Sequence, residues 1–262
     1  MTASTNQCCH NSMTALLAAR EGMACRVIME SWGDVRYRYE TAGNHAMMEL
    51  CGPEETAVVT DPPSGPVEDM PEARRMAEEA RASGKTPWFL SRGGSGPLGA
   101  LGYVRCAGEL VDQWGEDLPE AVVCPCGIGG TQAGLRLLGC PVPVVGIGVT
   151  GKSGADMERF VRSQCRELTD FLETDPIPEE AVRCLDSCAG GGYGKPCREQ
   201  IEWMRALASS QGILTDPVYS GKALYGLCGL AAKGEYAGPG GLVFLHTGGL
   251  QLFYDFSSLA EV

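Results

Sequence analysis

An apolar run, a glycine-rich turn and a helix-forming segment follow one another at 120–139, with Cys126-Gly127-Ile128-Gly129-Gly130-Thr131 as the turn. Glycines there let the backbone close tightly, on itself or on an anion. The helix that follows offers free N–H groups and a favourable dipole at its start. The same alternation runs through most of the chain. Strands are expected at 25–30, 56–60, 87–91, 120–124, 143–149 and 241–246. Helices are expected at 11–22, 44–51, 71–83, 98–114, 130–139, 153–173, 197–210 and 221–233. Strands alternating with helices predict an α/β fold of mostly parallel sheets flanked by helices. A composition shift at 92–98, Arg-Gly-Gly-Ser-Gly-Pro-Leu, divides a smaller domain at 1–92 from a larger one at 93–262.

Charge narrows the partners. A net charge of −12 and a pI near 4.8 argue against nucleic acid and anionic membrane surfaces. No apolar run approaches the roughly 20 residues a membrane helix needs, and no charged n-region with an apolar h-region opens the chain. A cytoplasmic protein is therefore expected. The 13 cysteines are odd in number, which argues against a disulfide framework. The closest pairs, Cys8-Cys9, Cys124-Pro-Cys126 and Cys184-x3-Cys188, lack zinc-ribbon spacing. No metal is expected, and most thiols are read as small buried hydrophobes.

The turn at 126–131 reads as a phosphate cradle, although a plain strand–helix connection also uses glycine. No Gly-Lys-Ser/Thr follows, so it is not a P-loop, and the spacing departs from the dinucleotide GxGxxG pattern. Other motifs accompany it in order. Gln7-Cys8-Cys9-His10 opens a helix, and Gly93-Gly94-Ser95 leads into another. Gly190-Gly191-Gly192-Tyr193-Gly194 precedes a third, Asp216-Pro217-Val218-Tyr219-Ser220-Gly221-Lys222 opens a fourth, and His246-Thr247-Gly248-Gly249 ends the last strand. Together these resemble the D-cysteine desulfhydrase and 1-aminocyclopropane-1-carboxylate deaminase family, fold-type II enzymes that use pyridoxal 5′-phosphate and are similar to tryptophan synthase β. The resemblance covers nearly the whole chain.

That resemblance implies specific roles. Gly127, Ile128, Gly129, Gly130 and Thr131 would hold the cofactor phosphate, and Thr247 the pyridine nitrogen. Tyr219 would lie near the substrate or over the ring, and Tyr193 would line the site. Gln7 to His10 correspond to the family's Gln-Ser-Asn-His, so Gln7 and His10 would face substrate. Cys8 would stand at the serine position and Cys9, near the cofactor, at the asparagine position. Cys9 cannot repeat an amide hydrogen bond. Cys8 is read either as a polar or nucleophilic group, favoured as thiolate by a helix N-terminus, or with Cys9 as a small residue in a relaxed site. Gly96 stands where the family commonly has asparagine. Phe244 replaces the tyrosine of the cyclopropane deaminases, which tilts the comparison toward desulfhydrases. On the residues alone His10 is expected to support its turn rather than act as a base, His45 to lie on the surface or in a turn, and His246 to be a positioned hydrogen-bonding group rather than a catalyst. Asp216 is expected to cap a helix.

The family's Schiff-base lysine precedes the glutamine motif. The five lysines here, Lys85, Lys152, Lys195, Lys222 and Lys233, do not match that position. Three expectations follow: a preceding segment that carries the lysine, a separate small subunit that supplies it, or a relative that binds without turnover. The implied reaction is α,β-elimination from a small amino acid such as D-cysteine, giving pyruvate, ammonia and sulfide. The alternatives are cyclopropane ring opening to 2-oxobutanoate and ammonia, and a non-catalytic module that binds the cofactor or an amino acid. A homodimer is the family expectation.

Overall fold

A computed structural model of the chain describes residues 1–5, 7–31, 42–137, 140–178 and 181–255. They fall into two compact units, Met1–Gly94 with Gln251–Asp255, and Ser95–Leu250. The first holds a three-stranded parallel sheet in the order β1 (Thr2–Ser4), β2 (Arg26–Ser31), β3 (Glu55–Thr60). Alternation along β2 builds a core on each face. Ile28 packs with Met70, Ala73 and Met76 at and in helix α3 (Pro71–Ala82). Val27 and Met29 pack with Ala15 and Ala18 of α1 (Cys9–Arg20) and Met48 of α2 (Gly43–Leu50). Pro71 starts α3 with its φ already helical, and Gly84 (φ 78°) follows its end, as such punctuation favours.

The second unit is a four-stranded parallel sheet in the order β6 (Val182–Leu185), β5 (Val144–Gly148), β4 (Ala121–Cys126), β7 (Leu242–Phe244). Both β4 and β5 are buried along their whole length, as parallel strands covered on both faces must be. Val122, Cys124 and Val144 meet the core beneath α4 (Pro97–Trp114) and α5 (Gly130–Leu137), and Cys126 and Cys184 pack against α6 (Gly154–Leu172). On the other face Val123, Val145 and Ile147 meet α8 (Ser220–Ala232), which follows α7 (Arg198–Gln211). A Cβ on Gly134 would lie 2.5 Å from the Ala100 carbonyl oxygen, so α5 sits against α4 at a distance only glycine allows.

The α/β class with parallel sheets flanked by helices is as the sequence predicts. Two strands differ. The 87–91 segment forms none: the Leu90 N–H reaches the Met1 carbonyl, but Pro87 has no N–H to extend a ladder. Conversely, β6 is absent from the expected strands. It is a short edge strand whose second residue is the charged Arg183. The expected helix end at 138–139 lies outside the described residues. The cysteines behave largely as anticipated, since Cys124, Cys126, Cys140, Cys165 and Cys184 are core residues. Burial pushes the Cys124 thiol up to about 12. No helix among the described residues is long and apolar enough to cross a membrane.

Candidate cofactor site

In the second unit the parallel order of β4, β5 and β7 brings their C-terminal ends to one edge, where ligands of such sheets bind. The chain leaves β4 at Cys126, turns through Gly127–Gly129 and enters α5 at Gly130. Gly129 has φ 93°, and a Cβ there would lie 2.9 Å from Val161 Cγ2, so both conformation and space require glycine. The first helical bond is accepted by the Gly129 carbonyl from Ala133. The N–H groups at the start of α5 therefore have no acceptor within the helix. Ile128 is 42% exposed, which leaves the turn open. A Cβ on Gly127 would touch the Tyr219 ring at 3.8 Å, so Tyr219 stands over the turn.

Asp216 holds that tyrosine. Its Oδ1 accepts the N–H groups of Val218 (2.8 Å) and Tyr219 (2.7 Å), and its Oδ2 accepts Ser220 N–H (2.7 Å) and the Ser220 hydroxyl. The expected cap is thus a wider clamp, on three successive N–H groups of the entry to α8. Gly249 presses against this carboxylate, where a Cβ would lie 2.8 Å from Oδ2. The Gly248 carbonyl accepts the Ser220 hydroxyl at 3.4 Å. The exposed Thr247 immediately precedes this contact. The Tyr193 and Tyr219 hydroxyls are 2.7 Å apart, with their rings edge to face at 5.7 Å. The cradle, Thr247, Tyr193 and Tyr219 accordingly belong to one edge of one unit. His246 binds the Leu214 carbonyl at 2.6 Å through Nε2, and its Nδ1 accepts the Gly248 N–H. Both ring nitrogens are thus engaged by the backbone, as for a positioned hydrogen-bonding group.

Gln7 to His10 form a cluster in the first unit. The Gln7 side chain accepts the Asn44 N–H (3.1 Å) and donates to the Ala42 carbonyl (3.1 Å), which fixes the start of α2. Asn44 Nδ2 in turn reaches the Gln7 carbonyl (3.0 Å) and Cys9 Sγ (3.4 Å). The surroundings of Cys8 disfavour a thiolate. Cys8 is 6% exposed, and burial pushes its thiol up, outweighing the bonds that pull it down. Burial of this kind favours the neutral thiol. His10 binds Thr2 Oγ1 at 2.6 Å, and burial pulls it down to about 4, so it is neutral near pH 7. His45, expected on the surface, is 4% exposed within α2.

The family model described as pyridoxal-phosphate dependent enzyme matches residues 8–248. The chain belongs to this family. It is 33% identical over 98% of its length to a D-cysteine desulfhydrase of Yersinia pestis (strain Pestoides F), of which it covers 77%. It superposes on the crystal structure of a homologue of ACC deaminase with a TM-score of 0.86 and 31% identity, covering 99% of this chain and 77% of that one. A similarity to O-ureido-L-serine synthase, with a TM-score of 0.60 and 17% identity, shows the shared fold alone. The resemblance read from the motifs, the fold-type II architecture and the dependence on pyridoxal phosphate are borne out.

The residues fit the cofactor's phosphate, because Gly129 admits only glycine and the first turn of α5 leaves N–H donors free. Its aldehyde is a different matter. Lys85 pairs with Glu54, and Lys152 lies 5.4 Å over the Phe160 ring. Lys222, the lysine that follows the Tyr219 motif, is fully buried and donates to the carbonyls of Val149 (3.2 Å), Ala189 (2.6 Å) and Gly192 (2.5 Å). Burial lowers its ammonium to about 8. Nothing in the sequence motif signals this burial.

Proposed function

We propose that the chain carries out α,β-elimination on a small amino acid, with D-cysteine as the favoured substrate, giving pyruvate, ammonia and sulfide in the cytoplasm. The Tyr193–Tyr219 hydroxyl pair, at 2.7 Å beside the glycine turn, is the observation that carries the reading. When bound, pyridoxal phosphate supplies an electron sink for charge developing at the substrate α-carbon. The α-proton would pass to the family's Schiff-base lysine, a position that none of this chain's five lysines matches, and the chain's own residues take the other roles. Gly127 to Thr131 hold the phosphate through N–H groups and the Thr131 hydroxyl. Thr247 offers a neutral hydroxyl to the ring nitrogen. Tyr219, aimed by Asp216, holds a proton at its hydroxyl for the departing sulfur, and Tyr193 fixes the direction of that hydroxyl. Gln7, Cys8, Cys9 and His10 are assigned to the substrate side, with Cys8 as a neutral donor. The protein acts as a homodimer in this proposal.

The test is product analysis of the protein supplied with pyridoxal phosphate. Pyruvate and sulfide from D-cysteine support the reading, and Tyr219→Phe should lower their formation about 100-fold, within the range of a lost proton-transfer group. Release of 2-oxobutanoate from 1-aminocyclopropane-1-carboxylate, with no pyruvate from D-cysteine, would replace it with ring opening. That second reading draws on the likeness to the ACC deaminase homologue. Binding without either product would leave the non-catalytic module.

A further inference from the structure

Lys222 is fully buried, and each of its ammonium protons has one backbone carbonyl. Among the described residues no carboxylate pairs with its Nζ. A positive charge whose direct contacts are all carbonyl oxygens, with the Asp216 carboxylate acting on it from farther off, is held as proteins hold a dehydrated monovalent cation. We propose that the Lys222 ammonium is a tethered monovalent cation, and that the pocket around it is a cation site filled by the chain's own side chain.

The three carbonyls show what the charge organises. Val149 follows β5, and its N–H donates to the carbonyl of Cys126, the residue before the glycine turn, at 3.1 Å. Ala189 and Gly192 lie in the loop that carries Tyr193. Lys222 itself lies in α8, three residues after Tyr219. One charge thus ties together the cradle strand's neighbour, the Tyr193 loop and the Tyr219 helix. A side chain on helix α8 delivers it, which removes any need to recruit an ion. The glycines of the loop allow the close approach: Gly192 has φ 115°, and a Cβ on Gly151 would lie 3.0 Å from Gly192 Cα.

The proposal is tested without pyridoxal phosphate, so its outcome is independent of the catalytic reading. Thermal unfolding of the full chain is followed in choline chloride, potassium chloride and ammonium chloride at equal ionic strength. The wild-type midpoint should be the same in all three. Lys222→Ala, which empties the pocket, should lose on the order of 10 °C in choline and regain at least half in potassium or ammonium, saturably. Lys222→Met, which fills the space without charge, should show the loss and no recovery. Recovery of Lys222→Ala in none of the salts, or equally in choline, overturns the proposal. Should Lys222→Ala fail to fold even in potassium or ammonium, the proposal fails too. On the wild type, ¹⁵N-lysine NMR should show one slowly exchanging ammonium at pH 6, and its absence contradicts the assignment.

Discussion

In the first unit Glu30 of β2 is 2% exposed and meets Arg92 Nε at 2.7 Å, whereas in the second Lys222 is buried among main-chain carbonyls. Glu30 is paired with an opposite charge that also grips the carbonyls of Pro63 and Gly65. Lys222 has carbonyl dipoles in direct contact, and the Asp216 carboxylate acts on it only from farther off. An ion pair gives Glu30 a partner that a single side-chain substitution removes. A cage of carbonyls gives Lys222 partners that no side-chain substitution removes, and it depends on loop geometry. Charge-assisted bonds of about 1.5–3 kcal/mol each suffice to offset the several kcal/mol of desolvation when all three protons are used. The second unit builds its ligand edge in this way, from glycine turns and backbone groups, while the first relies on side-chain networks such as Gln7–Asn44.

The largest effect comes from breaking the two charges separately. Arg92→Ala leaves Glu30 buried and unpaired and should cost about 3–5 kcal/mol at neutral pH, measured by urea unfolding. Burial already raises the Glu30 carboxyl, and its pairing with Arg92 restrains it. Without Arg92 the folded-state value rises further, so the variant is least handicapped below the unfolded value and loses stability as pH rises through the folded one. The deficit should therefore shrink at pH 5. Lys222→Met should show a deficit that does not change between pH 5 and 7, because Lys222, lowered only to about 8, is charged in both states there. An identical pH response in the two variants would erase the contrast.

A smaller effect is expected at the cradle. Gly129→Ala forces a side chain onto a φ of 93° and against Val161, at a cost of roughly 1–3 kcal/mol. Borohydride treatment in the presence of pyridoxal phosphate should leave Lys222 unmodified by peptide mapping, since its amine is engaged and enclosed. The smallest effect concerns His10. Its folded value near 4 lies below the unfolded value near 6.5, so the unfolded chain binds a proton first. Its contribution is complete above about pH 6.5 and is lost as pH falls toward 4. His10→Gln should flatten the acid limb of the stability curve and leave pH 7 nearly unchanged, which a pH series of thermal midpoints checks.

The same division explains which features are legible in the sequence. Glycine and proline declare local geometry, so the turn at 127–129 and the start of α3 are readable from the residues alone. Helix α6 is an exception, ending at Glu173 with φ 52°, where no glycine marks the stop. The short edge strand β6 shows too little alternation to announce itself, and the 87–91 run has the right residues but no ladder to join. Burial of charge is the least legible property. Nothing in Asp-Pro-Val-Tyr-Ser-Gly-Lys distinguishes a caged ammonium from an exposed one, and Cys8 at a helix start gives no sign that burial raises its thiol.

The central claim is that the glycine turn after β4 holds the cofactor by its phosphate. Calorimetric titration with pyridoxal phosphate and with pyridoxal, on wild type and Gly129→Ala, addresses it directly. The account predicts that the wild type binds the phosphorylated form at least about tenfold more tightly, and that Gly129→Ala abolishes most of this preference, consistent with the loss of charge-assisted bonds. Equal affinity for the two compounds, or a preference unchanged in Gly129→Ala, would contradict it.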